Sequence, residues 1–214
     1  MNSLSLQLMK QGTYMLWLLV LCSCLSCTSR QANDVPPLPV DLFSDGDLAF
    51  RRGAGLMSRV VLAAGKGSVY SHVGILRRMD DGWYVIHAVP DEPEFAGDVD
   101  RVKIEPLTRF FAGDRAVRGA VMRLVGDSLA ASRAAWEALR VAERGTLFDH
   151  NYDLSDTTEM YCTELVEFAY RKVGIDLAEG RISRVDVPAF GGTYLLPDDL
   201  AANRGLQVIY HFDR

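Results

Sequence analysis

"YSHVGILRRMDDGWYVIHAVP" (Tyr70–Pro90) is two apolar arms around a short polar joint, and its folding decides everything around it. Both arms are rich in Val, Ile, Tyr and Trp, and "MDDG" (Met79–Gly82) is a turn signal, so the stretch is predicted to be a β-hairpin. A loop of even length centred on Asp80 and Asp81 makes the pairing sum odd. Side chains alternate between faces with period two, so His72 and His87 then share a face on neighbouring strands. A loop of odd length separates them. One strand histidine is ordinarily a half-buried structural side chain. Two on one face match a base and the group that orients it, which is what an activated nucleophile requires.

The nucleophile has one candidate. In "EMYCTELVEFAYRKVG" (Glu159–Gly174) the residues Cys162, Leu165, Val166, Ala169 and Val173 recur at helical spacing, and Gly174 ends the run. Upstream, "DTTE" (Asp156–Glu159) has the form of a capping box, so the helix is expected to start there, with Cys162 facing inward early in it. The positive end of a helix lowers the pKa of a thiol at that position. A free cysteine also packs well as a small core residue, and the stretch by itself leaves both readings open.

The other histidines are less suited to chemistry. His150 lies in the polar "LFDHNYDLSD" and reads as solvated; His211 lies in a terminal apolar strand, "LQVIYHF", and reads as structural. No second cysteine accompanies Cys162 in the domain and no HxxxH pair is present, so neither a metal nor another cofactor is expected. "AAGKGS" (Ala63–Ser68) lacks the spacing of a phosphate loop and reads as the end of a helix from Gly55 to Ala64. A net charge of -5 without a basic run argues against a nucleic-acid partner.

The N-terminus supplies the compartment. Lys10 precedes an apolar run from Tyr14 to Leu25, too short for a bilayer span and laid out like a secretory signal. The run closes in "LCSCLSC", small residues directly before cysteines, which resembles a lipobox and makes Cys24 or Cys27 the expected lipid attachment. Residues 1–27 are thus read as a lipoprotein signal, 28–43 as a polar and proline-rich tether, and 44–214 as one catalytic domain. The protein is expected to be exported and held by its lipid to a membrane of the bacterial envelope, facing the periplasm or in the outer membrane. In an oxidising compartment a lone thiol such as Cys162 is either buried and inert or kept for its chemistry.

"DGDLAFRRG" (Asp45–Gly53), "YSHVGIL" (Tyr70–Leu76) and "YCTELVEFAYRKVG" (Tyr161–Gly174), in that order, resemble the permuted NlpC/P60 papain-like proteins, in particular the YaeF/YiiX-like branch of amidases. The histidine motif precedes the cysteine motif, as it does in the permuted branch. The resemblance implies an α+β fold, a small antiparallel, barrel-like sheet packed on the cysteine-bearing helix. It implies Cys162 as nucleophile, His72 as base and His87 in the third, polar position, where this branch often has Glu. Phe148 falls where the family often has a tyrosine, which leaves nearby Tyr152, and also Tyr161, as candidates for oxyanion or substrate contacts. Asp47 is expected to order its loop. The implied activity is a cysteine hydrolase working through an acyl-thioester on a cell-wall peptide or a lipid-linked or N-acyl amide. The alternatives are a silent binding lipoprotein that keeps the cleft, and an acyltransferase or thioesterase of the same fold. Strands are predicted at Leu48–Arg51, His72–Arg78, Trp83–Val89, Ala120–Leu124 and Gln207–Phe212. A further helix is predicted at Ser128–Arg144, with Leu129, Arg133, Trp136, Leu139 and Arg140 close to one face.

Overall fold

The computed structural model describes residues 34–53, 56–65, 67–186 and 191–214; the segment read as a lipoprotein signal, with Cys24 and Cys27, lies outside them. In chain order the main elements are β1 (Leu48–Arg52), α1 (Leu56–Ala64), β2 (His72–Met79), β3 (Gly82–Val89), β4 (Arg101–Pro106), α2 (Leu107–Phe110) and β5 (Arg118–Leu124). Then follow α3 (Ser128–Glu143), α4 (Cys162–Arg171), β6 (Ser183–Val185), β7 (Gly192–Tyr194), α5 (Pro197–Ala201) and β8 (Leu206–Asp213). Six strands form one antiparallel sheet in the order β4-β3-β2-β1-β5-β8, while β6 and β7 pair separately. The sheet is open, with β4 and β8 at its edges, and the fold is α+β.

Period-two alternation gives the sheet two different faces. Leu48, Phe50, Val73, Ile75, Ile86 and Ala88 point to one side, where they pack with residues of α3 and α4 in the main core. Ala49, Leu76, Val85 and Val121 point to the other, against Leu107 and Phe110 of α2, the adjacent Phe111, and Phe43. The β2–β3 hairpin closes through a two-residue turn, Met79 pairing with Gly82, so the pairing sum is odd and His72 and His87 share the second face. Its ladder runs only as far as Ile75↔Ile86, which leaves the start of β2 outside it.

The packing of α3 follows its alanines. Ala130, Ala131, Ala134, Ala135 and Ala138 are buried, and small side chains let this helix lie close on the sheet. Leu129 and Trp136, singled out in the sequence, are 61% and 51% exposed, so the face they mark is the outer one. Trp136 is covered instead by the Arg77 guanidinium, 3.9 Å from its ring centre.

The start of α4 differs from the sequence expectation. Asp156 accepts hydrogen bonds from the Thr158 N–H and hydroxyl, both at 2.8 Å, and so closes a local turn rather than capping the helix. The helix begins at Cys162 with Tyr161 as its N-cap, and Glu164 reaches back to the Tyr161 N–H at 3.4 Å. At the other end Gly174 adopts φ +85°, the left-handed conformation that glycine takes beyond a helix terminus.

Candidate active site

His72 opens β2 opposite Arg51 of β1, and His87 lies on β3 opposite Lys103 of β4. His72 Nε2 and His87 Nδ1 are 2.8 Å apart, a hydrogen bond whose direction depends on the tautomer. Gly74 makes this approach possible: a Cβ there would lie 2.9 Å from the Cβ of His87 and 2.8 Å from the Ile86 carbonyl. Phe110 packs on both rings, at 5.8 Å from His72 and 5.2 Å from His87. Both imidazoles are buried, and burial, followed by the nearby Arg51 charge, holds both well below the ordinary histidine pKa.

Cys162 is the first residue of α4 and comes from the opposite layer of the fold. Three backbone N–H groups bear on its sulfur: those of Val73, the residue after His72, of Thr163 and of Cys162 itself. These donors and the Arg51 charge favour the thiolate, but burial outweighs them and pushes the thiol up to about 11. The expectation that the helix start lowers the resting pKa is corrected on this point. Desolvation is the larger effect.

Cys162 and His72 line one cavity of about 550 Å³, together with Arg51, Arg115, Tyr152 and Tyr161. Tyr152 sits at φ +56°, with its ring 5.3 Å from that of Tyr161 and 5.9 Å from that of Phe148. Burial raises the Tyr152 phenol to about 12. The Tyr161 phenol oxygen accepts the Leu195 N–H at 3.3 Å, so this ring also ties α4 to the segment before α5.

The remaining residues singled out in the sequence fall outside this group. Asp47 is buried and accepts from the Ser44 N–H and from Arg123, each at 2.8 Å, which fixes the loop before β1. His150 is exposed, 3.2 Å from Asp100, and His211 is exposed on β8.

Sequence reasoning missed four charged residues here. Glu105 Oε2 of β4 lies 3.5 Å from His87 Nε2, and neither atom has a hydrogen-bond partner among the described residues. Arg51, Arg115 and Glu92 form an ion cluster on the cavity wall, with Arg51 buried and the other two half-buried. The signal for Glu105 was "RVKIEP" (Arg101–Pro106), where apolar Val102 and Ile104 alternate with Lys103 and Glu105. That is a period-two strand whose polar positions face inward.

A thiol at a helix start beside a strand-borne imidazole, on an antiparallel sheet with the histidine earlier in the chain, defines a permuted papain-like protein. Residues 43–188 match the family described as permuted papain-like amidase enzymes, YaeF/YiiX, C92 family, and the chain belongs to that family. Among solved structures, the fold is similar to that of metalloprotein yiiX from Escherichia coli O157:H7. The TM-score is 0.63 at 21% identity, over 80% of this chain and 98% of that one. No curated protein matches the chain.

Proposed function

We propose that this protein is an exported, lipid-anchored cysteine amidase in which Cys162 is the nucleophile, His72 its base and His87 the group that orients His72. The observation that carries the reading is the 2.8 Å contact of His72 Nε2 with His87 Nδ1 in the cavity that also holds the thiol. If His87 donates from Nε2 to the Glu105 carboxylate, its Nδ1 accepts from His72 Nε2–H. The lone pair of His72 then lies on Nδ1, the nitrogen left for the thiol. Both rings are neutral at rest, so His72 takes the thiol proton as sulfur attacks the carbonyl carbon. The Cys162 and Val73 N–H groups, both of which favour the thiolate, are suited to hold the oxyanion. The imidazolium protonates the leaving amine, an acyl-thioester remains, and water activated by His72 hydrolyses it.

The yiiX structure is described as that of a metalloprotein. A metal does not fit this pair of rings: the two facing nitrogens at 2.8 Å are closer than two ligands each about 2.1 Å from one tetrahedral ion. Among the described residues no group of three or more His, Cys, Asp or Glu side chains is arranged to hold one.

Murein peptides and N-acyl or lipid-linked amides are the proposed substrates. Incubating the protein with cell-wall digests and lipid extracts, then trapping the adduct on Cys162 by mass spectrometry, tests the reading. An acyl-thioester that is absent from Cys162→Ser is expected. The second reading, a binding lipoprotein without turnover, is favoured by the raised thiol pKa and by Phe148 in place of a tyrosine. Ligand capture with no thioester under any of these extracts would establish that reading instead.

A further inference from the structure

We propose that the cavity beside Cys162 contains a carboxylate-binding subsite formed by Arg51 and Arg115, and that Glu92 occupies it in the free protein. Arg51 is 3% exposed; its Nη2 lies 2.5 Å from Glu92 Oε1, its Nη1 donates to the Phe110 carbonyl at 3.1 Å, and its guanidinium lies 4.5 Å from the Phe110 ring centre. Arg115 meets the other oxygen of the same carboxylate. Two planar guanidinium groups thus converge on one carboxylate, on the wall of the cavity that holds the thiol. Arg109, which also lines it, already donates from Nη1 to both Asp114 oxygens, at 2.7 and 2.9 Å.

The occupant comes from a surface segment. Glu92 lies in the irregular stretch between β3 and β4, which crosses the cavity wall through Pro90, Asp91 and Pro93. Burial lowers both arginines to about 10, and Arg51 further disfavours the charge on Arg115. Glu92 places one oxygen on each arginine, so a carboxylate that binds there takes the place of Glu92. The substrate class that follows is an amide bearing a carboxylate within a few bonds of its scissile carbonyl. A carboxylate of that kind displaces Glu92 and sets the carbonyl against the sulfur. This deepens the amidase reading and rests on Cys162 being reactive.

The test compares two alkylating agents of the same size at one fixed pH, iodoacetate, which carries the carboxylate, and iodoacetamide, which does not. Relative to a free cysteine, the native protein is expected to favour iodoacetate several-fold. Arg115→Gln abolishes that preference, Arg115→Lys restores part of it, and Glu92→Gln increases it by emptying the clamp. Opposite shifts from two substitutions in one ion cluster are not produced by a general loss of folding. A second arm measures protection of Cys162 from iodoacetamide by a fatty-acyl glycine and by a short acidic peptide, each against its carboxyl-amidated form. Protection by the free acid alone identifies which source of carboxylate fits; equal behaviour of acid and amide in both cases overturns the subsite. Reaction with iodoacetamide but no preference for iodoacetate overturns the subsite and leaves the amidase reading standing. A thiol inert to both agents until the protein unfolds overturns both.

Discussion

At the scale of single residues, the site is governed by burial more than by charge pairing. A thiolate–imidazolium pair needs an imidazole that protonates near neutrality, whereas His72 is held neutral and the thiol is pushed up to about 11. The rate of Cys162 alkylation by iodoacetamide is therefore expected to keep rising with pH well past the 8.5 or so of an ordinary cysteine. His72→Ala is expected to abolish turnover while leaving that profile nearly in place, because a neutral ring supplies no charge to the sulfur. A rate that levels off below pH ~8 would instead show the ion pair already formed. Glu105 acts one step further back, as a positioning residue. Glu105→Gln replaces a carboxylate that can only accept with an amide that can also donate, so the tautomers of the two rings are no longer set, and kcat should fall roughly tenfold or more with little change in KM. A steady-state comparison of Glu105→Gln and Glu105→Asp, with Asp restoring part of kcat, separates this role from simple packing.

At the scale of elements, the hairpin and the α4 helix were legible because their signals are local. Alternating apolar residues around "MDDG" marked the hairpin, whose turn has two residues in the structure, and helical spacing from Cys162 to Val173 marked the helix body. What was not legible depends on which partner each polar group takes in the fold. β4 was missed because Arg101, Lys103 and Glu105 read as a polar loop until Asp98, Glu94 and His87 are placed beside them. The cap was misplaced because "DTTE" satisfies its own local turn, while the real cap pairs a buried tyrosine backbone with Glu164. That cap carries a titration. Burial raises Glu164 to about 8 from an ordinary 4.5, with the Tyr161 N–H opposing the shift. Between those pH values the folded chain keeps a proton that the unfolded chain has lost, so this group's contribution to stability falls as pH rises from about 4.5 to about 8. Melting temperatures of Glu164→Gln should decline less than those of the native protein over that range; parallel curves would remove Glu164 as the cause. The hairpin offers a second check at this scale. Gly74→Ala forces a methyl group against Val85, His87 and the Ile86 carbonyl, and should cost about 1–3 kcal/mol while also disturbing the histidine pair. Denaturant unfolding and activity measured on the same preparation follow both effects.

At the scale of the whole molecule, the question is how the lipid proposed at Cys24 or Cys27 would hold the domain to a membrane. Several contacts tie the chain before β1 to the domain: Arg214 donates to the Asp34 carbonyl at 2.8 Å, Trp83 Nε1 to Val40 at 3.1 Å and Arg123 to Leu42 at 2.7 Å. Leu38 packs on the second core and Phe43 is buried in it. Much of the segment read as a tether, from Asp34 on, is therefore part of the domain surface. At ~3.5 Å per residue, a lipid on Cys27 would hold Asp34 within roughly 25 Å of the bilayer surface, and one on Cys24 within roughly 35 Å. The lipid itself is a prediction from "LCSCLSC". Protein purified from envelope fractions of its own host should partition into detergent and show an intact mass that includes acyl chains. Cys24→Ser and Cys27→Ser should differ, with only one of them releasing the protein into the soluble fraction. An unmodified chain that begins downstream of Cys27 would mean an exported domain without an anchor, leaving the catalytic proposal to stand on Cys162 and His72 alone.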